Sequence, residues 1–263
     1  MAGGGSIPGP FPLRELPAAW RAVDFISDLH LCAAMPLTWQ AWARHLQSTD
    51  ADALFILGDL FEVWVGDDAR ERLFERSCVE ALAAASRRLP IFFLQGNRDF
   101  LVGESMCADC RMEAIHDPTA LQAWGTRVLV SHGDALCLAD VDYQQFRQWV
   151  RSAQWQQDFL ARPLPERLQI AARLRSESRS RQAFDGMSGA DVDARAAQDW
   201  LDAAGATLLV HGHTHRPGRH ELPGGGQRLV LSDWDLDDSH RPRAEVLRWT
   251  AAGFERRPPS GSS

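Results

Sequence analysis

The chain has no lysine, and all 28 of its basic side chains are arginine. A P-loop, which needs Gly-Lys-Ser/Thr, is thereby excluded, and fixed positive charge on a phosphate must come from arginine or a metal. Cysteine is sparse and odd in number: Cys32, Cys78, Cys107, Cys110 and Cys137 lack the spacing of a disulfide framework, which favours a reducing compartment. Cys107-Ala-Asp-Cys110 has no second pair to complete a zinc or redox motif, so it reads as packing. No apolar run approaches a membrane span, and residues 1–10, rich in Gly and Pro, lack the apolar centre of a signal peptide. The expected location is therefore the cytosol, with at most peripheral membrane contact. A net charge of −7 argues against a general nucleic-acid binder, and no obligate protein partner is inferred.

What the chain does have is five short polar motifs, each placed directly after an apolar run. They are Asp28-Leu29-His30, Gly58-Asp59, Gly96-Asn97-Arg98-Asp99, His132-Gly133-Asp134 and Gly212-His213-Thr214-His215. The runs before them (23–27, 53–57, 91–95, 128–131 and 207–210) are short, rich in β-branched or aromatic residues and ended by Gly or Asp, which predicts buried strands. Strands deliver side chains to one sheet edge, so distant ligands converge there. Stretches 37–47, 69–87 and 190–203 read as helices alternating with these strands, and 228–232 and 244–249 as closing strands. With 45% hydrophobic residues, 263 residues can bury one large core. Residues 1–263 are expected to form a single domain. A helical insertion at about 140–190, interrupted at Pro163 and Pro165, is expected to lie over the site. Residues 256–263 read as a frayed tail.

Taken singly, each motif has a bland reading: a capping Asp28 beside a surface His30, a turn at Asp59, a left-handed turn residue at Asn97, a structural His132. Three histidines in His211-Gly-His-Thr-His215 are harder to attribute to packing, with His211 on the strand side the least suited to ligation. Together Asp28, His30, Asp59, Asn97, His132, His213 and His215 offer oxygen and nitrogen donors and no thiolate. That set favours two ions of the Mn²⁺ or Fe²⁺ type over a structural zinc. A carboxylate bridging two ions suits phosphoryl chemistry.

In order and spacing these motifs resemble the calcineurin-like metallophosphoesterases, with the pattern D-x-H, GD, GN-[HR]-[DE], H and GHxH spanning Asp28 to His215. The resemblance implies an α/β fold of two packed mixed β-sheets flanked by helices. It further implies one ion on Asp28, His30, Asp59 and His215, and a second on Asp59, Asn97, His132 and His213. The stretches Asp59-Leu-Phe-Glu-Val-Trp64, Gly96-Asn-Arg-Asp-Phe-Leu101, His132-Gly-Asp-Ala-Leu-Cys137, Arg173-Leu-Arg175 and His211-Gly-His-Thr-His-Arg-Pro217 are similar to the UDP-2,3-diacylglucosamine pyrophosphatases of lipid A biosynthesis. That narrower resemblance implies Mn²⁺-dependent hydrolysis of a lipid-linked UDP-sugar to UMP and 2,3-diacylglucosamine 1-phosphate by a hydroxide activated between two metals, Fe²⁺ or another divalent ion being the alternative cofactor. It also implies work at the cytoplasmic face of the inner membrane, as a peripheral membrane protein. The competing readings are another nucleotide pyrophosphatase or phosphodiesterase of this fold, and a non-catalytic binding scaffold.

Arg98 fits the narrower reading on chemical grounds. Always charged, it cannot protonate an alkoxide, but a phosphate leaving group needs only electrostatic stabilisation. Asn97, Arg98 and His132 are therefore the expected catalytic residues. Asn97, Arg98, Asp140, Ser178, Gln182 and His213 are the expected substrate contacts, those on Asp140, Ser178 and Gln182 by resemblance alone. The insertion interleaves Phe146, Trp149, Trp155, Phe159, Leu160, Leu164, Leu168 and Ile170 with eight arginines, as expected where some apolar groups face acyl chains and some arginines face phosphates or an anionic surface. Two positions depart from the pattern, Gln182 for a familiar Asn and Asp185 for a familiar Lys. Arg179 or Arg181 is expected to supply the missing charge.

Overall fold

The computed structural model describes residues 11–185 and 190–261, with the backbone alone over 176–185. In chain order the strands are β1 (Leu13–Glu15), β2 (Ala22–Ile26), β3 (Ala53–Leu57), β4 (Ile91–Leu94), β5 (Met112–Ala114), β6 (Thr119–Ala123), β7 (Thr126–Ser131), β8 (Leu208–His211), β9 (Gly218–Glu221), β10 (Gln227–Val230), β11 (Val246–Thr250) and β12 (Gly253–Arg257). The helices are α1 (Pro36–Ser48), α2 (Leu73–Ala85), α3 (Glu104–Cys110), α4 (Val141–Val150), α5 (Ala153–Leu160), α6 (Leu164–Asp185) and α7 (Ala194–Ala204).

The strands form two mixed six-stranded sheets, ordered β12-β11-β2-β3-β4-β5 and β1-β6-β7-β8-β10-β9. The first is parallel from β2 to β5, and in the second β7, β8 and β10 run parallel. Alternation along buried strands divides the core. Phe25, Phe55, Val128 and Val210 meet between the sheets, Ile26, Ile56 and Phe93 pack outward under α1 to α3, and Leu129 and Leu209 pack outward under α7. Because β2, β3 and β4 lie side by side and parallel, their carboxyl ends open onto one rim, and β7 and β8 of the facing sheet end beside it.

Three expectations need correcting. The stretch 69–87 is not one helix: a 3-10 turn, Asp67–Glu71, precedes α2. Pro165 does not interrupt the insertion, since it lies in the first turn of α6, where its missing N–H costs nothing. The other break falls at Ser152, whose side chain caps α5. Finally, residues 256–261 of the expected tail are tied down. Arg256 and Arg257 belong to β12, Pro259 is buried, and the Ser260 amide donates to His45 Nδ1 at 3.1 Å. All five cysteines are free.

Candidate metal centre

The five polar motifs occupy the turns that leave β2, β3, β4, β7 and β8. Among the described residues, seven non-glycine residues have positive φ, and five of them are Asp28, His30, Asp59, His213 and His215, at φ between 49° and 66°. L-residues avoid this region at a cost of about 1 kcal/mol each, so the surrounding structure must enforce it.

It does so through main-chain bonds. The Asp28 amide donates to Gly58 O (3.1 Å) and the His30 amide to Asp59 O (3.0 Å), which locks the β2 and β3 turns together. The His213 amide donates to the Asp28 carboxylate at 2.9 and 3.1 Å. The Asp99 carboxylate, fully buried, accepts the amides of Leu60 (2.7 Å), Gly96 (2.8 Å) and Asp59 (3.2 Å), joining the β3 turn to the β4 turn. Gly96 is required there by space: a Cβ would stand 2.1 Å from Asp59 Oδ1.

The donor atoms converge. Asp28, His30 and His215 offer ligand atoms within 4.8 Å of one another, as do Asp28, Asp59 and His132. Asp28 belongs to both groups, whereas sharing was expected at Asp59. The Asp59 oxygens nevertheless turn to opposite sides, Oδ1 lying 3.6 Å from His132 Nε2 and Oδ2 4.0 Å from His30 Nδ1. Asn97 Oδ1 stands 2.9 Å from both His132 Nε2 and His213 Nδ1. Asn97 is the sole asparagine of the chain. His211 is buried beside these residues, with Nδ1 2.8 Å from Gly212 O, and serves packing.

The electrostatics fit divalent cations. Burial pushes the Asp59 carboxyl up to about 7, reinforced by Asp99 and Asp28 and opposed by His132 and Arg98. Burial likewise holds His30 and His213 down at about 3, so both are neutral imidazoles with a free lone pair. At His132 burial is outweighed by Asp59, Asp28 and Asp134, which lift it to about 9. His30 Nε2 and His215 Nε2 face each other at 3.3 Å, a pairing of ring nitrogens that a shared cation would satisfy. Buried carboxylates gathered with neutral imidazoles and one amide oxygen make a donor set suited to hard or borderline divalent ions.

The helices over the rim attach by side chains. Asp134, fully buried, accepts Tyr143 Oη (2.7 Å) and Arg147 Nε (2.7 Å) from α4. Burial would raise that carboxyl, but Arg147, His132 and Arg151 hold it below the usual range. The Tyr143 ring stacks on His213 with centroids 5.8 Å apart, and Arg151 donates to Gly96 O at 3.0 Å. Arg167 and Arg175 of α6 pair with Asp68 and Glu62. Much of the expected phosphate-facing arginine charge is thus turned onto carboxylates. Of the apolar residues named for the insertion, Phe159 is buried, Trp155, Leu164, Leu168 and Ile170 pack against the core, and Trp149 and Leu160 are exposed. Asp140 caps α4 through the Tyr143 amide at 3.0 Å. The Arg98 side chain has a buried Nε with no partner, and its amide donates to Asp59 Oδ1 at 2.8 Å. The side chains of Ser178, Arg179, Arg181, Gln182 and Asp185 lie outside the described residues.

The calcineurin-like phosphoesterase family matches residues 22–217, from β2 to the turn that carries His215. The chain belongs to this family. Among curated calcineurin-like relatives, the UDP-2,3-diacylglucosamine hydrolase of Ralstonia nicotianae is 43% identical over 86% of this chain and 88% of its own. That of Shewanella pealeana is 44% identical over 80% of this chain and 89% of its own. That of Aromatoleum aromaticum is 44% identical over 87% of this chain and 93% of its own. The matched span includes residues that were given no role in the sequence but also shape this phosphoesterase site: Asp99, Glu62, whose Oε2 lies 3.4 Å from His30 Nδ1, and Tyr143. A further carboxylate, Asp233, stands 3.5 Å from His215 Nδ1. Sequence reasoning gave these four no role because each acts through another residue, although Asp99 and Glu62 stood within quoted stretches.

Proposed function

We propose that this phosphoesterase hydrolyses the pyrophosphate bond of UDP-2,3-diacylglucosamine, giving UMP and 2,3-diacylglucosamine 1-phosphate. The observation that carries the reading is identity above 40% to the named hydrolases across at least four fifths of the chain, insertion included. Asp28, His30, Asp59 and His215 would hold one divalent ion, and Asp59, Asn97, His132 and His213 the other, with Mn²⁺ the assignment most in keeping with the donors. When bound, such a pair lowers the pKa of water and clamps phosphoryl oxygens.

The chain's own residues do the rest. The left-handed turns hold the donors in place before substrate arrives, so little reorganisation is needed. Arg98 stabilises charge on the scissile pyrophosphate, and because the departing sugar phosphate needs no proton, a permanent cation suffices. Attack at the phosphorus attached to uridine expels 2,3-diacylglucosamine 1-phosphate and leaves the oxygen from water on UMP. Asn97 and His213 face the same phosphoryl group, while Asp140, Ser178 and Gln182 contact the head group. Residues 140–190 form the lid. Exposed Val141, Trp149 and Leu160 seat it peripherally at the cytoplasmic face of the inner membrane; no helix among the described residues is long and apolar enough to cross a membrane.

Product analysis by ³¹P NMR with added Mn²⁺ tests the reading. UMP and a sugar 1-phosphate in equal amounts are expected. Turnover of dinucleoside polyphosphates or bis-nitrophenyl phosphate with the lipid-linked substrate left intact would overturn it.

A further inference from the structure

The two halves of the proposed metal centre differ in what stands behind their histidines. His132 donates Nδ1–H to a neutral carbonyl, Leu57 O, at 2.9 Å. His30 and His215 instead turn Nδ1 towards carboxylates, Glu62 Oε2 at 3.4 Å and Asp233 Oδ2 at 3.5 Å. A carboxylate behind a ligating imidazole fixes its tautomer and raises its basicity, an effect worth roughly 10- to 100-fold in metal affinity. His30 Nδ1 is buried and makes no other hydrogen bond, so the Glu62 carboxylate at 3.4 Å is the acceptor placed for its N–H.

Glu62 is also where the helices over the rim reach this half of the site. Its Oε1 accepts from Arg175 of α6. Glu62 sits just beyond the β3 turn, with its amide bonded to Leu31 O beside His30, so its main chain is anchored while its side chain spans from His30 to the lid. Arg175 meets Oε1, and Oε2 is the oxygen that stands 3.4 Å from His30 Nδ1.

We propose that Glu62 is a positioning residue which couples the lid to one half of the metal centre: Arg175 holds Glu62, and Glu62 orients His30 for its ion. The ion held by His30 and His215 is consequently the tighter of the two, and its affinity depends on whether α6 is docked. The reciprocal follows from linkage, so loading that ion draws α6 onto the rim. This inference rests on the two-ion reading above.

Mn²⁺ binding to the full chain, followed by EPR of the free ion, tests it. The wild type should bind two ions with unequal affinities. Glu62→Gln should weaken the tighter ion by about 10- to 100-fold and leave the other unchanged. Arg175→Ala should weaken the same ion about 5-fold or more, whereas Arg175→Lys, which keeps one donor to Oε1, should restore most of the affinity. In the Glu62→Gln background, Arg175→Ala should have no further effect on either ion. Glu62→Gln binding both ions as the wild type does would overturn the proposal, and so would an undiminished effect of Arg175→Ala in that background. Should Glu62→Gln fail to fold, the contrast between Arg175→Ala and Arg175→Lys decides, equal affinities refuting it. A wild type that binds fewer than two ions would instead overturn the two-ion reading.

Discussion

Around the donors, the turns after β2, β3, β4 and β8 are tied by main-chain amides to neighbouring carbonyls and to the buried carboxylates of Asp28 and Asp99. Over α4 and α6 the ties are guanidinium and phenol groups, from Arg147, Arg151, Arg167, Arg175 and Tyr143, meeting carboxylates and carbonyls below. Main-chain ties have no rotatable side-chain bonds on the donor side, whereas an arginine has several. The rim is therefore held to a tight tolerance, while the helices over it are held by groups that can turn, which suits the lid role proposed above.

The sharpest test of the rim is Asp59→Ala. Two-metal clamping is worth several kcal/mol at the transition state, so kcat/KM should fall by about 10³-fold or more with a loss of bound metal. Full turnover with one tightly held zinc would break the assignment. Asp99→Ala touches no reacting group yet leaves three buried amides without an acceptor. It should cost about 3 kcal/mol in urea unfolding, and a loss below 1 kcal/mol would show that the turns hold themselves. His45 offers a comparison outside both regions. Burial holds its folded pKa at about 4, against 6.5 when free, with Asp24 opposing and Arg248 and Arg88 assisting. Stability should thus be fully present above pH 6.5 and fall by on the order of 3 kcal/mol as pH drops to 4. Replacing His45 by Gln should flatten that slope in chemical denaturation. Arg98→Ala should lower kcat by on the order of 10²-fold with metal content intact. Smallest of all, Arg162→Ala removes an exposed pair with Glu166 and should change stability by less than about 0.5 kcal/mol, so that a larger loss would mean the insertion is not adaptable in the way described.

The rim was legible because its chemistry restricts residue type: only Asp, His and Asn at strand ends satisfy both the ion and the turn, so the five motifs stand out in the sequence. The strands before them were legible for a related reason, being buried on both faces over most of their length and hence largely apolar, with Asp24 of β2 and Arg127 of β7 as exceptions. Strands β1, β9 and β12 left no such trace, since each is short or an edge and carries Arg, Glu or His. The docking of residues 256–261 was misread because its anchors are a proline and one backbone amide. Glu62, Asp99 and Asp233 look like any other acidic side chain until the nitrogen each one faces is known. In the insertion the helical content was legible, but arginines aimed at carboxylates and arginines free for phosphate have the same sequence signature.

The five left-handed donors carry a consequence for how this chain tolerates change. Asp28, His30, Asp59, His213 and His215 each sit where glycine would be at ease. Substituting His30, His213 or His215 by Gly relieves torsional strain and removes a proposed ligand, whereas at Asp28 or Asp59 it also strips the His213 or Arg98 amide of its acceptor, so the fold stands to gain stability at the histidines alone. In a library selected for thermal endurance alone, glycine should accumulate at the three histidines and not at the two aspartates, and its enrichment would mark the proposed reaction centre without a single activity assay.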